Sequence, residues 1–142
     1  MLKQVSHVNV WVHDQDEALE FYTRKLGFEV REDVTLEQFG NFRWLTVGPV
    51  SQPDLQFILS LPGPPAIDPE DAEQLMALVA RGAVSGGGNV IFDTDDVRGT
   101  YEDLTARGVE FTQEPMERSY GIDAAFRDPS GNAFRIMQSA GG

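Results

Sequence analysis

One order of elements occurs twice in this chain, and that repetition constrains its fold more than any other feature. Gly27 and Gly108 each close a helical pattern and stand 81 residues apart, while His7 and Asn89 open the preceding strand patterns 82 residues apart. A duplication with one residue fewer in the second strand-to-helix stretch accounts for both spacings. In the first copy, residues 5–12 (VSHVNVWV) alternate: Val8, Val10 and Val12 share one face, and His7, Asn9 and Trp11 the other. The valine face is core. The opposite face is too polar for dry packing and too aromatic for a purely solvated surface, which marks it as a pocket wall.

Helical spacing follows. Asp14 to Asp16 offer N-caps, Ala18, Leu19, Tyr22 and Leu26 recur at helical intervals, and Gly27 supplies the left-handed stop, so a helix over 15–26 is predicted. Strands over 28–34, 42–47 and 55–61 come next, separated by the turn-rich EQFGN and GPVSQPD segments. The first half therefore reads βαβββ. The second half has a strand over 89–94, a cap at Asp95 or Asp96, and a helix carrying Val97, Thr100, Tyr101 and Leu104. After Gly108 come strands over 109–112, 124–127 and 133–138, the last two joined by the tight turn DPSGN. The EPMERSYG segment between the strands over 109–112 and 124–127 reads as a loop.

The stretch 62–88 connects the halves. Asp68 as cap, Pro69 in first position and acidic Glu70 and Asp71 start a helix over 69–81. Its stripe of Ala72, Leu75, Met76 and Val79 needs an apolar partner, either the pocket mouth, a sheet edge or a second subunit. Residues 86–88 are glycines and form a hinge. The expected organisation is a single domain over 1–142, with a first module over 1–61, a connector over 62–88 and a second module over 89–142.

A chain of 142 residues with 41% hydrophobic and 24% charged residues has ordinary globular composition and can bury one core unaided. The formal charge of −12 argues against nucleic acid or an anionic membrane surface as partner. It serves either solubility or the attraction of a cationic ligand. Without cysteine there is no disulfide framework and no thiolate nucleophile. The start MLKQVSHVNVWV lacks the pattern of a secretory leader, and no apolar run reaches membrane-spanning length, so a cytoplasmic location is expected.

Three segments, SHVNVWVHDQDEALEFYTRKLGFEV, NVIFDTDDVRGTYEDLTARGVEF and FRDPSGNAFRIMQ, resemble the vicinal oxygen chelate superfamily. That group contains glyoxalase I, bleomycin-resistance proteins and extradiol dioxygenases. The resemblance implies an α+β fold of two βαβββ modules whose sheets form an incomplete barrel around a cavity, in a homodimer. It also implies four metal-ligand positions, which fall here on His7, Gln56, Asn89 and Arg135. His7 is a good ligand and Gln56 a usable one. Asn89 is weak, and Arg135 is a permanent cation with no lone pair. Asp93, Asp95 and Asp96 lie at a strand end and helix cap, where capping explains them. No metal and no cofactor is therefore expected.

Ligand-binding side chains are easier to find than a catalytic set. Trp44, with Phe42 and Thr46 opposite Leu45 and Val47, offers a second aromatic wall to join Trp11, and each of the two indoles reads equally as core or dimer-interface packing. Asn9 and Asn89 add amides, and Tyr120 is a candidate rim residue. Arg135 either anchors an anionic or carbonyl group or neutralises a buried carboxylate. His7 is either a general base or a pocket lining, and His13 is a turn residue. The resulting expectation is a metal-free binder of planar aromatic or cationic small molecules, of the drug-sequestering kind tied to antibiotic resistance. The alternative is a glyoxalase-like lyase, isomerase or dioxygenase acting on a 2-oxo or vicinal-oxygen substrate.

Overall fold

Val10 and Val12 are buried, Val8 is half-buried, and His7 and Asn9 are exposed, so the alternation read from residues 5–12 sets the orientation of strand β1, His7–Trp11. The computed structural model describes residues 1–140. Helix α1, Gln15–Glu20, starts where the Asp14 carboxylate accepts the Glu17 N–H at 3.0 Å. It then widens into a π-helical turn, Phe21–Lys25, before Gly27 ends it at φ 78°. The expected helix is thus present but not uniform. The wider turn leaves Phe21 buried beside Ala18 and Tyr22, a position the α-helical stripe did not include.

Strands β2, Glu29–Leu36, and β3, Phe42–Gly48, form a hairpin whose turn places Gly40 and Asn41 in the left-handed region, at φ 71° and 60°. Strand β4, Gln56–Ser60, completes a sheet of order β1-β4-β3-β2, parallel between β1 and β4 and antiparallel elsewhere. Leu45, Val47, Phe57 and Leu59 face α1 and are essentially inaccessible. Each large apolar side chain so buried contributes roughly 2 kcal/mol. Phe28 stacks on Phe57 at 5.8 Å and closes that core.

The chain divides into two units, Met1–Met76 and the part from Ala77 onward, so the boundary falls within helix α2, Pro69–Ala80. On α2, Val79 is buried while Ala72, Leu75 and Met76 are half-buried. Val79 is covered by its own chain, while the other three stripe residues keep part of their surface accessible.

The second unit repeats the first. Strand β5, Val90–Asp93, leads to helix α3, Val97–Ala106, capped by Asp96, whose carboxylate accepts the Gly99 N–H at 3.0 Å. Strands β6, Phe111–Arg118, β7, Gly121–Arg127, and β8, Ala133–Ser139, give the order β5-β8-β7-β6. Val97, Phe126, Phe134 and Ile136 form the core. In the DPSGN turn the Asp128 carboxylate accepts from the backbone N–H groups of Ser130, Gly131 and Asn132 at 2.9 to 3.0 Å.

One element differs from expectation. Most of EPMERSYG is strand, because β6 runs on to Arg118 and pairs with β7 through two register shifts. Those bulges break the alternation that would have marked a strand. The fold is α+β, with two βαβββ modules and two four-stranded sheets, neither closed into a barrel among the described residues. Among the described residues no helix is long and apolar enough to cross a membrane.

Candidate functional site

Strand pairing collects the first unit's site. In the parallel ladder His7 is the register partner of Gln56, and Asn9 of Ile58, so these side chains share the face opposite the core. The His7 ring lies 5.9 Å from Trp44 at a tilt of 49°. Its Nδ1 is 2.9 Å from Ser6 Oγ. Thr46, fully buried, donates its hydroxyl to Gln56 Oε1 at 2.7 Å, so what Gln56 has left to donate is its amide N–H groups. Asn9 Oδ1 accepts from Ser60 Oγ, so Asn9 is tied down by its neighbour. Trp11, on the same strand face, is half-buried.

Arg43 reaches Asp33 at 2.9 Å and Asp16 at 2.7 Å. Its hydrogen bond holds the Asp33 carboxyl below the usual aspartate value, against a smaller opposing effect of burial. The Gln15 side-chain amide donates to the carbonyls of Leu59, at 2.8 Å, and Arg43, at 3.2 Å, fastening α1 to the sheet. His13, in the turn before α1, sits 3.0 Å from Glu17 on the helix surface.

A second polar face is built in the other unit around Asp123, whose side chain is only 4% exposed. Tyr120 donates to Asp123 Oδ2 at 2.8 Å, and Gln113 Nε2 and Arg118 Nε donate to Oδ1 at 3.0 and 3.2 Å. Arg135 brings its terminal nitrogen to 3.5 Å from Oδ2 and sends both terminal nitrogens to Gln113 Oε1, at 2.9 and 3.0 Å. Burial pushes the Asp123 carboxyl up, but the donors from Gln113, Tyr120 and Arg118 and the charge of Arg135 outweigh it, leaving the group below its ordinary value. The hydrogen bond to Asp123, with burial, raises the Tyr120 phenol. Of the two roles open to Arg135 in the sequence, the one the structure shows directly is pairing with a buried carboxylate.

Tyr120, Asp123 and Arg135 line a recess of about 420 Å³ together with Ile91, Met137 and the backbone of Gly88. Sequence reasoning missed Asp123, Gln113 and Arg118. Of these, only Arg118 lies in the segment read as loop, and Gln113 and Asp123 fall in the short gaps between it and the strands expected on either side. Asn89 precedes β5, and the register partner of Arg135 is Ile91.

A divalent metal does not fit these donors. In the first unit Gln56 Oε1 already accepts from Thr46, and in the second a guanidinium stands beside isoleucine. Among the described residues no group of three or more His, Cys, Asp or Glu side chains is placed to hold an ion.

The profile of the Glyoxalase/Bleomycin resistance protein/Dioxygenase superfamily matches residues 4–136. The chain belongs to this superfamily. Within it, the chain is 36% identical over 131 residues to the uncharacterized protein YurT of Bacillus subtilis (strain 168), covering 92% of this chain and 94% of that one. Among solved structures, UcmS2 superposes with a TM-score of 0.88 at 45% identity, over 98% of this chain and 100% of that chain. TnmS3, an antibiotic binding protein from Streptomyces sp. CB03234, superposes with a TM-score of 0.73 at 27% identity, over 98% of each chain. The superfamily fold hosts both chemistry and plain binding, so the side chains must decide between them.

Proposed function

We propose that this chain binds and sequesters a small planar aromatic molecule of antibiotic type, without metal and without transforming it. The observation that carries this reading is the donor set. At the four positions where metal-using relatives place ligands it has one imidazole, two amides and a guanidinium already bonded to Gln113. What remains is suited to binding in each unit: Trp11 and Trp44 as aromatic contacts with His7, Asn9 and Gln56 as polar ones in the first, and Tyr120 with Asn89 and Arg135 in the second. The likeness to TnmS3, named as an antibiotic binding protein, supports the same reading over nearly the whole chain. In this role the protein acts in the cytoplasm and confers resistance by holding the drug. Homodimerisation is part of the proposal, since β1, β2, β5 and β6 are sheet edges open to further pairing.

A titration of planar aromatic antibiotics against tryptophan fluorescence tests the reading, followed by mass analysis of the recovered compound. Saturable quenching with the compound returned intact is expected. Turnover of 2-oxo acids or hemithioacetals, with no quenching by the aromatic panel, would replace it with the enzymatic alternative.

A further inference from the structure

We infer that the recess in the second unit takes an anionic oxygen of the ligand, a carboxylate, phenolate or enolate, against Arg135; this rests on the sequestration reading and names the chemical class of its ligand. The net charge of −12 points the other way, toward a cation. Local pairing decides between the two.

Asp123 has nothing left to offer a cation. Each of its oxygens already has two partners: Gln113 and Arg118 at Oδ1, Tyr120 and Arg135 at Oδ2. At 4% exposure it is also out of reach without displacing one of them. The guanidiniums are in the opposite position, because Arg118 and Arg135 share this single carboxylate and leave one positive charge over. Arg135 directs both terminal nitrogens to one acceptor, Gln113 Oε1. Of its five N–H groups, at least the Nε–H and one terminal N–H therefore remain for a ligand.

The surroundings keep that guanidinium in place and suit an aromatic body. Gly88, at φ 128°, packs its backbone against the Arg135 stem, where an added Cβ would come within 2.8 Å of Arg135 Cγ. Ile91 and Met137 supply apolar wall, and Tyr120, 52% exposed, supplies an aromatic edge. A volume of about 420 Å³ admits several fused rings.

Pyrene-1-carboxylate, 1-pyrenemethanol and 1-pyrenemethylammonium present one ring system with three charges. Their titration against the wild type, Arg135→Gln and Arg135→Lys tests the inference, with circular dichroism confirming that each variant is folded. In the wild type the carboxylate is expected to bind at least about tenfold more tightly than the ammonium, the size of one charge-assisted contact. Arg135→Gln should abolish that preference while the alcohol still binds. Arg135→Lys, which keeps the charge and loses the fork, should reduce it, and carries the test if the glutamine variant does not fold. Equal affinities, or a preference for the ammonium, would overturn the anion site and leave sequestration standing. A preference untouched by either variant would move the site away from Arg135. Failure of all three compounds to bind would overturn both readings.

Discussion

Tyr120 donates its hydroxyl to Asp123 Oδ2 at 2.8 Å across the β6–β7 turn, so a residue on the exposed rim helps hold a buried carboxylate ionised. Because the Asp123 carboxyl lies below its ordinary value of 3.8 in the folded protein, the unfolded chain takes up this proton first as pH falls. The stabilisation from Asp123 is then whole above about 3.8 and is lost as pH drops through the lower folded value. Asp123→Asn should cost roughly 3 kcal/mol at neutral pH, since two guanidiniums lose their shared anion. That difference from wild type should shrink below the ordinary aspartate range. Urea unfolding at a series of pH values measures it, and a constant gap down to the most acidic point would contradict the assignment.

The His7–Trp44 contact at 5.9 Å places one indole against the β1 face. Trp44→Ala should weaken binding of a planar aromatic ligand by roughly tenfold, with Trp11→Ala having a similar effect. His13→Ala, on the helix surface beside Glu17, should change little. Isothermal titration of the three variants gives the ranking. Equal affinities in all of them would remove the indoles from the site.

Gly121 follows Tyr120 at φ 145°, and a Cβ there would collide with the Gln138 carbonyl oxygen of β8. Gly121→Ala should therefore destabilise by about 2 to 4 kcal/mol through backbone strain and displaced pairing. Thermal unfolding reads the loss. An unchanged midpoint would mean that the turn has room to move.

Protein dialysed against zinc, nickel or manganese should carry no stoichiometric metal. The positions that would ligate it bring together His7 and Gln56 in one unit and a guanidinium in the other. Elemental analysis settles the matter directly, and one equivalent lost on His7→Ala would favour the enzymatic alternative.

Light scattering at tens of micromolar should give the mass of two chains, about twice 15.7 kDa. A single-chain mass would remove the homodimer from the proposal. It would leave the internal coverage of Val79 as the whole account of the α2 stripe.

What the sequence determined by itself is local. The valine alternation in β1, the Asp14 and Asp96 caps, the glycine stops and the DPSGN turn each depend on groups within a few residues of one another, so their physics is written in contiguous letters. From them the two βαβββ modules follow. The candidate residues on β1 and β3 were legible for the same reason, since a strand's period places His7, Asn9 and Trp11 on one face of β1, and Trp44 with Phe42 and Thr46 on one face of β3, without knowledge of any partner. The tertiary structure decided everything that depends on register between strands. It set His7 beside Gln56 and Ile91, rather than Asn89, beside Arg135. It also made QEPMER part of a bulged strand that delivers Gln113 and Arg118 to Asp123. A one-residue change in pairing moves every side chain to the other face, and a bulge makes that change without altering composition. The pairing of Arg135 with Asp123 was therefore settled only when β7 and β8 came together.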